Sequence, residues 1–471
     1  MAHHFANGIP PRLLMWQRVR EYAVPPSMIE TATARRAVGD WAGACAAARI
    51  DVDLDLRAVG RRHGTELVTR LRTDLRRLAP DLLRWNMPRS APDGLLRPGL
   101  TVCLARYPGC GSDDGCSDGA PLQLVVRTPP ARAEAGQRMS LALWDAAGHG
   151  FGSDGPGPHP HPHPDRRFRL DLHRHLWDAA RSGELAGRST GGGDSPWAVP
   201  RWAPEAELLL RADGKDPRGA FSVRLGARSR VVYELVAPDD CHAPVLREVR
   251  TPRYDVAALP MLPEAAARVL PDLELLGAGL VPAGRLHPLV AAALAPYAAV
   301  APVAGAGPET GDPHRVECRG AVHRIALRDG VLTAVDHDPD QLRREELLLA
   351  LGGPPLPCLR AMDAVHRSPE ALPAVRERLG HGDVAGALAV VEGLLGPGAV
   401  LRDGPLREAL ESAVARRIDH GLFRSGLDTS HPAAGAARTP QGDHLRPGLR
   451  ALSALRFKRG PRTRPRNALF G

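Results

Sequence analysis

The chain has 471 residues, of which 43% are hydrophobic and only 4% aromatic, with 62 basic and 53 acidic side chains. That length suits several domains, and an ordinary apolar fraction with so few aromatics means cores built from Ala, Leu and Val. Seven cysteines, an odd number scattered along a large chain, argue against a disulfide framework and for a reducing compartment.

Met1 to Trp16 has no charged start followed by an apolar core, so no secretory signal is expected and a cytoplasmic protein is. Met1 to Met87 reads as helical. Ser27 and Glu30 have capping-box spacing after Pro25-Pro26 and predict a helix ending near Gly39. Asp40 is placed to cap the next helix, Trp41 to Arg49. Leu67, Val68, Leu71, Leu75 and Leu78 then mark one helical stripe. Asp51, Asp53 and Asp55 alternate with apolar residues, which on a strand would put three carboxylates on one face. Three carboxylates on one face could bind a hard cation, but a half-buried edge strand with a solvated acidic face explains them without a metal.

Thr101–Ala105, Leu122–Thr128 and Met139–Trp144 read as strands bounded by Gly, Pro or Asp clusters. Cys103, Cys110 and Cys116, with Cys241-His242 as a distant fourth contributor, are the cysteine candidates for zinc, but they lack the close pair that makes a zinc knuckle. Gly148 to Pro164 is a Gly/Pro/His loop. His159, His161 and His163 alternate with prolines there, and His173 and His175 follow. A polyproline II segment repeats every three residues, so ligands two apart do not share a face. Arg167–Ala180 is expected to be helical and Ala206–Arg211 a strand. Gly187-Arg188-Ser189-Thr190-Gly191 has the letters of a nucleophile elbow without the strand-to-helix context that the elbow needs.

Further strands are expected at Phe221–Leu225 and Arg230–Leu235, and short Ala/Pro-rich helices over Pro263–Pro302. The uncharged run Pro288–Pro308 is mostly alanine and broken by prolines, a poor membrane span. Arg315–Arg319, Val322–Leu327 and Val331–Val335 predict a small antiparallel sheet, with Asp329-Gly330 as its hairpin turn. Asp336, Asp338 and Asp340 fall at a helix start, where capping accounts for the acids. Gln341–Phe423 reads as helical.

Gly39-Asp40-Trp41-Ala42-Gly43-Ala44 parallels Gly382-Asp383-Val384-Ala385-Gly386-Ala387. Each resembles the inter-helix turn of a tetratricopeptide-type hairpin, in which Gly ends one helix, Asp caps the next and a small Ala allows close approach. Any Ala-rich helical hairpin uses the same turn.

The last segment, His444 to Gly471, holds eight basic side chains and no acid. Taking those eight away leaves 54 basic against 53 acidic residues, so the charge excess belongs to the tail. Leu449, Leu452 and Leu455 fall on one side of a short helix. Arg456, Lys458, Arg459, Arg462, Arg464 and Arg466 follow or flank it, and prolines keep that run extended. A leucine stripe beside a cationic arm suits an apolar groove, an acidic protein or a phosphate backbone.

These features predict an α+β protein with helical segments at both ends around two small, mainly antiparallel β regions and a basic, largely disordered tail. The expected divisions are a helical region over 1–90, an α+β domain over 95–255, Ala/Pro-rich helices with a small hairpin sheet over 256–340, a helical region over 341–425, and the tail over 426–471. The expected role is a non-catalytic adaptor or assembly protein, with no cofactor, no catalytic residue and no membrane. Its expected partner is a protein, acidic in character, or a nucleic acid reached through the tail. The alternatives are a metal-dependent enzyme using the Cys or Asp clusters and a nucleic-acid-associated protein.

Overall fold

The computed structural model describes residues 9–108, 121–129, 136–145, 163–189, 195–227, 229–236, 244–250, 255–298, 315–318, 321–328, 331–334, 371–395 and 405–424, with isolated positions between 338 and 351 and at 427. The chain is α+β and divides into two units, 1–300 with 420–471, and 301–419.

The first unit opens with helices α1 (Pro11–Arg18) and α2 (Pro26–Ala37), joined by a π-helical turn over Val19–Ala23. The capping box at Ser27 does not form. Pro26 takes the first helical position and Pro25 the cap, so Ser27 lies inside the first turn and caps nothing. Helix α2 ends at Ala37, Gly39 in the turn after it has φ +78°, and Asp40 then caps α3 (Trp41–Ala47) by accepting from the Gly43 amide at 2.8 Å. Arg35 holds the other Asp40 oxygen at 3.1 Å. A Cβ on Gly43 would lie 2.1 Å from that oxygen, so the cap itself requires glycine there.

Strand β1 (Ile50–Asp53) leads to α4 (Leu56–Arg77), kinked at Gly64, and α5 (Pro80–Trp85). The stripe Leu67, Val68, Leu71 and Leu75 is buried as its spacing predicts. Strands β2 (Arg89–Ser90) and β3 (Leu95–Leu96) form a short ribbon. Then β4 (Thr101–Tyr107), β5 (Leu122–Arg127) and β6 (Met139–Trp144) join β1 in one sheet of order β1-β6-β5-β4. The β1–β6 pair is parallel, with Ile50 opposite Met139, and the others are antiparallel. Strands β4 and β5 are buried almost throughout, so this sheet is covered on both faces.

Arg167–Ala180 is not one helix but turns and two short 3₁₀ segments. Its backbone is drawn to β4 instead: Asp165 N donates to Thr101 O at 2.8 Å and Asp171 N to Cys103 O at 3.0 Å. Short α6 (Glu184–Gly187) follows. Ala206–Arg211 is not a strand either; it lies in α7 (Trp202–Ala212). Trp202, Ala206, Leu209 and Leu210 recur at helical spacing and are buried, and that periodicity decides the element over the local Leu run.

Helix α7 packs on a three-stranded antiparallel sheet, β7 (Ala220–Arg224), β8 (Arg230–Val236) and β9 (Val245–Glu248). Trp202, Phe221, Val223, Leu235 and Leu262 make this second core, separate from the one around the four-stranded sheet. Helices α8 (Glu264–Ala267), α9 (Pro271–Gly277) and α10 (Pro288–Ala298) close the unit as the Ala/Pro-rich short helices expected. No helix among the described residues is long and apolar enough to cross a membrane.

The second unit contains the antiparallel sheet β10 (Arg315–Cys318), β11 (Ala321–Arg328) and β12 (Val331–Ala334). Arg328 pairs with Val331, which leaves the expected two-residue connection. Asp329 and Gly330 themselves lie outside the described residues. Helices α11 (Ala371–Gly380) and α12 (Val384–Leu395) repeat the first hairpin in its hydrogen bonds. Gly382 has φ +80°, Asp383 accepts from Gly386 N at 3.2 Å, and Arg378 holds Asp383 at 3.0 Å. A Cβ on Gly386 would again meet the capping carboxylate at 2.1 Å. Val375, Leu379, Ala387 and Val391 pack with Leu410 and Ala413 of α13 (Pro405–Arg424).

Candidate anion-binding cleft

Where the two cores of the first unit meet, a cavity of about 370 Å³ opens. Four arginines line it, each delivered by a different segment: Arg97 after β3, Arg167 in the turn leading from Asp165, Arg224 at the end of β7, and Arg268 after α8. Asp165, Glu264, Trp197, Met261, Leu262 and His163 complete the part that bears on chemistry.

The segments are fixed by backbone bonds. Glu264 N donates to Arg167 O at 2.8 Å, Leu262 N to Ser222 O at 2.9 Å, and Gly99 N to Pro129 O at 2.8 Å. Trp197 forms an isolated antiparallel bridge with Arg268. The side chains are held as firmly. Arg167 donates through Nε to Asp165 at 2.9 and 3.0 Å and stacks 5.1 Å from the Phe168 ring centre. Arg97 lies over the same ring at 5.9 Å. Arg268 lies 4.4 Å from the Trp197 centre and 3.4 Å from Glu264. Arg224 donates to the carbonyls of Gly226 and Ala227 at 2.9 and 3.0 Å.

Among the described residues, four guanidinium groups against two carboxylates leave two positive charges in excess. The crowding is felt by the groups themselves. Burial lowers the pKa of Arg97, with Arg167 and Arg268 adding repulsion. Burial also lowers that of Arg224, helped by Arg167, Arg230 and Arg97. Both remain protonated at neutral pH, because guanidinium starts so high. The Arg97 Nε is buried and, among the described residues, has no hydrogen-bond partner. A buried donor left unmet costs about 1–3 kcal/mol.

The sequence candidates fall elsewhere. Asp51 is on β1 and pairs with Arg138 at 2.5 Å. Asp55 is beyond the strand and caps α4, accepting from Arg57 N at 2.9 Å and Ala58 N at 3.0 Å. The three aspartates therefore do not line one face. Asp338 accepts from Asp340 N at 3.1 Å, the capping role expected of it; Asp336 lies outside the described residues. Cys103 is buried in β4, where burial pushes its thiol up; Cys45 is likewise pushed up to about 12. Cys110, Cys116, Cys241 and His242 lie outside the described residues. No group of three or more His, Cys, Asp or Glu able to hold a metal occurs among the described residues.

His163 is exposed beside the cleft, with its ring edge-on to Trp144 at 5.9 Å. His159 and His161 lie outside the described residues. His173 and His175 are buried, with rings 5.9 Å apart. His173 Nδ1 faces the Arg169 carbonyl at 2.9 Å and Nε2 lies 3.2 Å from Glu205. Ser189 follows α6 and donates its hydroxyl to Leu185 O at 2.5 Å. Leu449, Leu452, Leu455, Arg456, Lys458, Arg459, Arg462, Arg464 and Arg466 of the tail all lie outside the described residues.

The cleft arginines carried no signal in the sequence. They are four among sixty, spread between Arg97 and Arg268, and share no motif. Comparison with protein families, with curated proteins and with solved structures finds no match.

Proposed function

We propose that this chain is a non-catalytic adaptor that takes up an anionic group in the arginine-lined cleft. The observation that carries the reading is the cleft's excess, among the described residues, of four arginines over two carboxylates. Asp165 and Glu264, the carboxylates lining the cleft, each lie against an arginine, which favours binding over proton transfer. The helical hairpins and the basic tail would supply the assembly surfaces, with an acidic protein as the partner.

A ligand that binds only the folded state stabilises it by about 2.7 kcal/mol at a hundred times its Kd. Sulfate or phosphate should therefore raise the Tm above that in chloride at equal ionic strength. Arg97→Met combined with Arg224→Met should abolish the difference. Equal melting in sulfate and chloride for the unaltered chain would reject the reading.

A further inference from the structure

If the cleft binds an anion, the reading on which this inference rests, its charge and shape narrow the ligand. Two excess positive charges match a phosphomonoester, which carries about −1.5 to −2 near pH 7, better than a phosphodiester, which carries one charge. Guanidinium forks suit several oxygens on one centre. Here they approach from separate segments: Arg97 and Arg167 over Phe168, Arg268 over Trp197, and Arg224 from β7. Each keeps donor capacity. Arg167 uses Nε and Nη2 on Asp165, and Arg224 uses Nε and Nη2 on carbonyls, so Nη1 of each lies outside those bonds.

The cavity is also too large for phosphate alone. At about 370 Å³ it falls in the range of small-molecule pockets. Part of its remaining wall is apolar: Trp197 is half-buried, while Met261 and Leu262 are buried. Such a wall takes the face of a sugar or nucleoside while the arginines hold the charge.

We propose that the cleft binds a phosphomonoester, with the phosphate among Arg97, Arg167, Arg224 and Arg268 and a sugar- or nucleoside-sized body along Trp197, Met261 and Leu262.

The test is isothermal titration calorimetry on the full chain at fixed ionic strength. The probes are ribose 5-phosphate, adenosine 5′-monophosphate, the methyl diester of each, inorganic phosphate, succinate, and the unphosphorylated ribose and adenosine. At least one monoester should bind at least about tenfold more tightly than its diester and than succinate, since one lost charge-assisted contact is worth about 1.4 kcal/mol or more. The unphosphorylated bodies should not bind measurably. Arg224→Met should weaken the monoester by at least about tenfold, and Trp197→Ala should weaken the monoester more than it weakens inorganic phosphate. If diester or succinate binds equally well, the phosphomonoester inference fails and the anion reading stands. The phosphomonoester inference also fails, alone, if no ester binds while sulfate still raises the Tm. If sulfate has no effect and no ester binds, both fail.

Discussion

Replacing Trp177 by Ala is expected to destabilise the first unit by about 3–5 kcal/mol, as truncation of a buried aromatic does. Its side chain has no exposed surface. Its indole donates to Leu170 O at 2.9 Å, and the Arg174 guanidinium lies 4.7 Å from its ring centre. Its own carbonyl accepts from Ala79 N at 2.7 Å, which ties this turn-rich segment to the start of α5. Arg174 in turn pairs with Asp74 and with Asp178 at 3.0 Å, and Tyr107 donates to Asp74 at 2.8 Å. The segment has no regular helix of its own, so these side chains hold it in place as a backbone ladder does elsewhere. Trp177→Phe keeps most of the volume and removes one of two donors to the Leu170 carbonyl, which still accepts from His173 N at 3.1 Å, and should cost about 0.5–1.5 kcal/mol. Urea melts followed by circular dichroism measure both. A loss under about 1 kcal/mol for the Ala variant, far below the range for a buried aromatic, would show that Trp177 does not hold the segment.

The second large effect concerns the buried cluster around Glu205. Arg188 donates to it through Nε at 3.0 Å, Arg201 lies at 3.3 Å, and His173 Nε2 at 3.2 Å. Burial alone would raise the Glu205 pKa, but bonds from His173 and Arg188 outweigh it and hold the carboxyl well below its usual range. His175 beside them is pushed down to about 2, by burial first and then by His173 and Arg188. Both groups therefore bind protons more readily when unfolded. Their contribution is complete above the unfolded pKa and is lost as pH falls towards the folded one. For His175 the loss begins near pH 6.5, and for Glu205 near 4.5. Each fully titrating group adds a slope of about 1.4 kcal/mol per pH unit. The chain should lose stability from pH 6.5 downwards and more steeply below 4.5. His175→Gln should flatten the upper window. Glu205→Gln should reduce the lower steepening, to which Asp51 and Asp165 also contribute, and, by leaving part-buried Arg188 without this counter-charge, cost up to about 3 kcal/mol at pH 7. Denaturant melts at half-unit pH steps give the slopes. An unchanged slope in the His175 variant would show that its imidazole is not held neutral by the fold.

Local chemistry was readable in the sequence, and assembly from distant segments was not. Asp40 and Asp383 cap the helices assigned to them, because a cap involves only a few neighbouring residues. Met139–Trp144 is a strand from end to end. Ser27 failed because the adjacent Pro26 fixes the helix start first. Ala206–Arg211 failed because three successive leucines obscure a period that becomes clear only when Trp202 is included. Arg167–Ala180 failed because its backbone partners are on β4, far away in sequence. The cleft was invisible for the same reason: Arg97, Arg167, Arg224 and Arg268 become neighbours only after two sheets have formed. An abundance of arginine along the whole chain had already made each one inconspicuous.

The anion-binding reading is tested most directly by locating an oxyanion in the folded protein. Crystals of the full chain soaked in tungstate, with data collected at the tungsten edge, would show its position by anomalous scattering. The account predicts a peak in the cleft within about 3 Å of guanidinium nitrogens from at least two of Arg97, Arg167, Arg224 and Arg268. It also predicts that this peak is lost in the Arg97→Met, Arg224→Met double variant. Tungstate bound only elsewhere on the surface, with the cleft empty, would contradict it.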